Sequence, residues 1–225
     1  MIAAVVFDVG ECLVDETREY GTWADWLGVP RHTFAAMFGA TIARGADYRD
    51  TFQVFDPTFD LASARQARAD AGSPEWFGED DLYDDVRPTL SALRDAGFLV
   101  GIAGNQTVRA GGLLRGLELP SDFIATSDDW GVQKPDVEFF DHVIATVEEH
   151  LREAVDSAQI VYVGDRLDND LRPAKQRGLR TVHIRRGPWG WIHGSDPDLP
   201  QVADWQITSL SELPELLTAE RASAS

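Results

Sequence analysis

The sequence predicts an α/β protein in which a doubly wound parallel sheet carries an inserted, all-helical module. Three observations point there. Short apolar runs without polar alternation recur along the chain, as in strands buried on both faces. Amphipathic helical patterns separate these runs, which is the rhythm of a parallel sheet wound with helices. One long stretch, 16–84, breaks that rhythm and holds helical patterns alone.

The first run, 2–7, is rich in valine and ends at Asp8 and Gly10. Similar runs lie at 98–103, 123–125, 160–163 and 181–184, with a weaker one at 205–207. Between them, 88–96 reads as a helix stopped by Gly97, and 170–177 as one stopped by Gly178. The segment 136–154 places Phe139, Phe140, Val143, Ile144, Val147 and Leu151 on one apolar stripe. Inside the insertion, 19–27 and 62–71 read as helices, punctuated by Pro57, Gly72, Pro74 and Gly78. Trp23, Trp26, Phe34 and Phe38 recur there at helical spacing and are assigned to the insertion's own core. The expected organisation is therefore an α/β core of 1–15 and 85–225, an insertion of 16–84, and a frayed end at 219–225.

Composition narrows the partners. Hydrophobic residues make up 44% of the 225, enough for a substantial core. Thirty-eight acidic against 20 basic residues give a formal charge of −18, which repels nucleic acid and anionic lipid surfaces. The single cysteine, Cys12, excludes an internal disulfide, fits a reducing compartment and is assigned to the core. The N-terminal run has no basic region before it and is interrupted by Asp8, so it makes a poor signal peptide. No membrane span is expected. A cytoplasmic protein acting on a small anionic metabolite is the expectation.

The strand ends carry the chemistry. Ligands of doubly wound sheets bind outside the carboxyl ends of the strands. Asp8 follows the first run, Gly104 and Asn105 the second, and Lys134-Pro135 comes shortly after the third. Gly164-Asp165 ends the fourth, with Asp170 five residues further on. Two strand-end carboxylates and a third acid make a hard oxygen site of the kind magnesium takes. Pro135 biases Lys134 toward extended backbone, from which its ammonium can project into the crevice. A carboxylate nucleophile, a divalent cation and a lysine together suit phosphoryl transfer.

In motif order and spacing, Phe7-Asp8, Lys134-Pro135 and Gly164-Asp165 with Asp170 resemble the haloacid dehalogenase superfamily, in its branch with a helical cap after the first motif. The resemblance spans nearly the whole chain and implies a Rossmann-like core with the cap over the crevice. It implies Asp8 as nucleophile and metal ligand, and a Gly10 carbonyl, Asp165 and Asp170 completing a Mg2+ site, Asp170 through water or as a support behind the ligands. Lys134 would bridge Asp8 and the phosphoryl group, and Gly104 and Asn105 would bind its oxygens. Two positions depart from the phosphatase pattern. Gly10 stands where a general-acid Asp is usual, and Gly104 where a phosphoryl-binding Ser or Thr is usual. A serine installed at 104 is accordingly expected to improve phosphoryl binding.

Three functions follow in order of preference. The first is a Mg2+-dependent phosphatase of a small phosphorylated metabolite, working through an aspartyl-phosphate on Asp8. The second is a catalytically weak or inert relative that binds a ligand in the same crevice, motivated by Gly10 and Gly104. The third is a metal-independent dehalogenase, against which Asp165 and Asp170 argue. Glu11 is read as a solvated loop residue before a surrogate acid, and Asp168 as a solvated acid or cap. The residues after the fifth run, Arg185 to Trp189, read as a packing loop. His142, His150, His183 and His193 lack metal-ligand spacing and are given no role.

Overall fold

A computed structural model describes residues 1–223. They form two compact units, one of Met1–Asp15 with the chain from Leu82 onward and one of Glu16–Asp81.

The larger unit is a six-stranded sheet, every pair parallel. Its strands are β1 (Ala4–Phe7), β2 (Leu99–Gly104), β3 (Phe123–Thr126), β4 (Ile160–Gly164), β5 (Arg180–Ile184) and β6 (Trp205–Ile207). The spatial order is β3-β2-β1-β4-β5-β6. The winding therefore reverses between β1 and β4, the point at which doubly wound sheets open a crevice. β1 is four apolar residues with no exposure at all. Burying each such valine or phenylalanine contributes about 1.5–3 kcal/mol, so the run has no competing solvent-facing register.

The smaller unit contributes α1 (Thr17–Trp26), α2 (Arg31–Ile42), α3 (Asp50–Phe55) and α4 (Leu61–Asp70), and no strand. Its interior is aromatic. Trp23 meets the edges of Phe52 and Phe59, and Phe34 packs on Phe38, Phe52 and Phe55. Trp26, expected in that core, is 42% exposed. It lies three residues past Trp23, at the helix end, where the chain turns away. Arg68 is buried over the Trp23 ring and donates to Glu19 and Thr22, so α4 is tied to α1 by a satisfied charge.

In the larger unit, α5 (Val86–Asp95), α6 (Val108–Gly116), α7 (Ser127–Trp130) and α8 (Val137–Leu151) flank the first strands. Phe139, Phe140, Val143 and Val147 of α8 pack with Ala4, Val6, Ile160 and Tyr162 into one core cluster, the buried face of the stripe read from sequence. After β4 comes a single wide turn, Leu167–Leu171, then α9 (Arg172–Gln176). α10 (Gly187–His193), α11 (Leu199–Val202) and α12 (Leu213–Ser223) complete the unit. The Arg185–Trp189 stretch is thus partly helical, with Trp189 buried. The expected fraying at 219–225 is not seen as far as Ser223, because α12 continues through it and Arg221 donates to Ile2, Ala96 and Gly97 carbonyls; residues 224 and 225 lie outside the described residues. No helix among the described residues is long and apolar enough to cross a membrane.

Candidate active site at the sheet switch point

Asp8 leaves β1 with its N–H still donating to Val163 of β4, 2.9 Å away. Asp165 leaves β4 beside it. The reversal of winding thus brings two carboxylates from distant sequence onto adjacent strand ends. Asp170 joins them from the wide turn, whose i→i+5 bond runs from the Leu171 N–H to the Arg166 carbonyl. Such a turn widens a helix by one residue and is often found at functional sites. Here it swings the Asp170 side chain inward, where the Arg166 N–H donates to its Oδ2 at 3.0 Å. Oxygens of Asp8, Asp165 and Asp170 lie within 4.8 Å of one another, all buried.

Lys134 lies among them. Its Nζ donates to Asp8 Oδ1 and to Asp170 Oδ1, both at 2.6 Å, and its side chain has no exposure. The ammonium also lies 5.4 Å from the Tyr162 ring and 5.9 Å from Phe139, within cation–π range. Burial works against its charge, yet Asp170 and Asp8 together hold its pKa well above the ordinary lysine value. The lysine stays cationic. Burial lifts the Asp8 carboxyl to about 6 despite the pull of Lys134. Burial lifts Asp165 well above the usual carboxylate range, and Asp170, Asp8 and Glu11 add to it by repulsion. Asp165 Oδ2 is buried without a hydrogen-bond partner. Three close carboxylates, one with an orphaned oxygen, fit a hard divalent cation, which would supply the charge that Lys134 alone does not.

The other expected residues fall as follows. Asn105 meets the main chain of Lys134. Its amide nitrogen donates to the Lys134 carbonyl at 2.9 Å, and its amide oxygen accepts from the Lys134 N–H at 2.8 Å. Both ends of that side chain are engaged, so Asn105 braces the lysine's backbone. Gly104 ends β2 directly beside Asp8. Gly10 opens the tight loop after Asp8 and pairs with Val14. Asp168 is an exposed partner of Arg166. Cys12 is buried, and its thiol pKa is raised by that burial.

Several residues were not foreseen. Glu11 is not a solvated loop residue: it is only 5% exposed, holds a left-handed φ of 53°, and accepts from Tyr83 Oη at 2.6 Å. His183 of β5 is buried, and its Nε2 donates to the Asp165 carbonyl at 3.2 Å. Burial takes its pKa down to about 4, so the imidazole that supports the Asp165 loop is neutral. His193 supports the same loop by accepting from the Leu167 N–H at 3.0 Å. Neither partnership has a local signature; a histidine flanked by Val182 and Ile184 is the one hint for His183.

Gly164 shows why glycine precedes Asp165. A Cβ placed there would fall 2.5 Å from Asp170 Oδ2 and 2.7 Å from its Cγ. Gly164→Ala is expected to lower the melting temperature by about 5 °C, from an overpacking cost of roughly 1–3 kcal/mol. Thermal denaturation checks this, and an unchanged melt would mean that Asp170 has room to move.

The haloacid dehalogenase-like hydrolase family model matches residues 2–178. The chain belongs to that family. It is 36% identical over 134 residues to the glyceraldehyde 3-phosphate phosphatase of Methanopyrus kandleri, covering 58% of this chain and 54% of that protein. To the phosphatase of the same name from Methanocaldococcus jannaschii it is 32% identical over 138 residues, covering 60% and 56%. The chain thus matches about half the length of these curated relatives. The putative HAD-hydrolase YfnB of Bacillus subtilis superposes with a TM-score of 0.69 at 19% identity, over 96% of this chain and 98% of that one. That likeness is one of fold.

Proposed function

We propose that this HAD-like hydrolase is a Mg2+-dependent phosphatase of a small phosphorylated metabolite. The observation that carries the reading is the buried Asp8–Lys134–Asp170 ion-pair chain beside the partnerless Asp165 oxygen. The names of the two archaeal relatives support a small phosphate ester as the substrate class.

In this reading Asp8, Asp165 and Asp170, with the Gly10 carbonyl, would hold Mg2+. Bound there, the cation would neutralise charge on the phosphoryl oxygens and on the carboxylates. Asp8 attacks phosphorus, forming an aspartyl-phosphate as the bond to the leaving oxygen breaks. Lys134 holds Asp8 in place and offers its positive charge to the phosphoryl group. The main chain at Gly104 is the remaining contact for a phosphoryl oxygen. Water then cleaves the aspartyl-phosphate and regenerates Asp8. Asp170 keeps Lys134 in register throughout, and neutral His183 keeps the Asp165 loop from moving.

The leaving oxygen needs a proton, and Gly10 cannot supply one. Aryl phosphates with acidic leaving groups are therefore expected to turn over much faster than alkyl phosphates. Gly10→Asp should raise alkyl-phosphate turnover by up to ~10²–10⁴-fold, the usual worth of acid–base catalysis. A phosphomonoester panel assayed with Mg2+ and with a chelator tests the whole reading. Phosphate release that stops with the chelator is the expected result. Silence across the panel would favour the inert binding protein, and equal aryl and alkyl rates would point to Glu11 as a proton donor already in place.

A further inference from the structure

The loop that carries Asp165 leaves β4 and enters the wide turn at Leu167. Three of its main-chain groups meet side chains. The Asp165 carbonyl accepts from His183 Nε2 at 3.2 Å. The Arg166 N–H donates to Asp170 Oδ2 at 3.0 Å, and the Leu167 N–H donates to His193 Nδ1 at 3.0 Å. Of the three side chains, the two histidines come from outside the loop. His183 stands on β5 opposite Gly164, and His193 is the last residue of α10. α10 touches the loop a second time, with the Trp189 ring 4.5 Å from the Arg166 guanidinium.

The two rings work with opposite polarity. A carbonyl can only accept, so His183 Nε2 carries a proton. A main-chain N–H can only donate, so His193 Nδ1 is bare. Leu167 opens the turn, where a main-chain N–H has no acceptor within the helix. His193 supplies that acceptor. The loop's main chain is thus held from two sides, while Asp165 Oδ2 is buried without a partner.

We propose that His183 and His193 are positioning residues for the metal site: one as donor and the other as acceptor, they hold the main chain of 165–167 so that Asp165 and Asp170 converge on one cation. The inference rests on the reading of Asp165 and Asp170 as Mg2+ ligands. Groups that hold a ligand from behind are typically worth about 10–100-fold in metal affinity.

The test titrates the protein with Mg2+ in a calorimeter, without substrate, and uses Asp165→Asn to mark the signal that belongs to this site. His193→Ala and His183→Ala are each expected to weaken Mg2+ binding by about 10–100-fold. The rescue differs between them. His193→Asn sets an amide oxygen near the place of Nδ1, and His183→Gln sets an amide N–H near the place of Nε2. Both should regain most of the native affinity, and both keep the test readable if an alanine variant fails to fold. The exchanged amides, His193→Gln and His183→Asn, should bind no better than alanine. Hydrogen exchange without metal supplies the second readout. The Leu167 amide should exchange faster in His193→Ala and recover its protection in His193→Asn. Native Mg2+ affinity in the alanine variants would overturn the proposal, as would equal rescue by matched and exchanged amides. If the native protein shows no Mg2+ signal that Asp165→Asn removes, the reading of the metal site fails. The hold on the loop is then decided by exchange alone, and an unchanged Leu167 rate in His193→Ala overturns it.

Discussion

Asp8→Asn is expected to reduce phosphate release by about 10⁴-fold or more, as removal of a nucleophile does in enzymes that depend on one. The same substitution should leave the metal-free protein at least as stable as before. Asp8 is an acid whose folded value, about 6, lies above its ordinary 3.8. Folding therefore holds a proton that the unfolded chain has released, and the resulting stability is lost as pH rises through that window. At pH 8 the carboxylate is charged in a buried seat that disfavours charge. Asparagine fills the same volume without that cost and can still accept from Lys134. Loss of activity together with a steady or raised melting temperature separates a missing nucleophile from a collapsed fold. Wild-type turnover by Asp8→Asn on any phosphoester the native protein cleaves would end the proposed mechanism.

Lys134→Met should do the opposite to stability. It keeps much of the side-chain volume but leaves Asp8 and Asp170 facing each other without the cation that both contact at 2.6 Å. Removing one member of a buried ion pair typically costs about 3–5 kcal/mol, which for a chain of this size is a fall of about 10 °C in melting temperature. Turnover should fall by about 10²–10³-fold, the usual effect of removing one electrostatic contact to a developing anion. Melting at neutral pH in metal-free buffer, paired with steady-state rates in Mg2+, reads both. A variant that melts like the native protein would mean that the two acids share a proton at no cost, and the role of Lys134 would have to be reassigned.

The parts of this picture that depend on local pattern were visible in the sequence. The valine-rich run at 2–7 is β1 within two residues, and the stripe Phe139–Phe140–Val143–Val147 is the buried face of α8. The acids and Lys134 were visible because their order along the chain matches strand ends that topology then gathers. Features that depend on partners far along the chain were not. Asn105 finds its partner 29 residues away, and Tyr83 meets Glu11 across 72. His183 reaches the Asp165 carbonyl only because β4 and β5 are adjacent. Trp26 has the same spacing as its buried neighbours, but a helix end turned it outward. Periodicity reports which face is apolar; it does not report which end of an element the core stops at.

The space beside Gly164 has a consequence for anyone transplanting this cluster of side chains. Copying Asp8, Lys134, Asp165 and Asp170 onto another parallel sheet would move the charged groups and leave behind the hollow that Asp170 rests in. That hollow is an atom that is not there, so a search scored on functional groups alone passes over it. A graft onto a scaffold with alanine before the second strand-end acid would present the right composition with the Asp170 side chain pushed out of alignment. The transferable unit therefore includes Gly164, whose part in it is room.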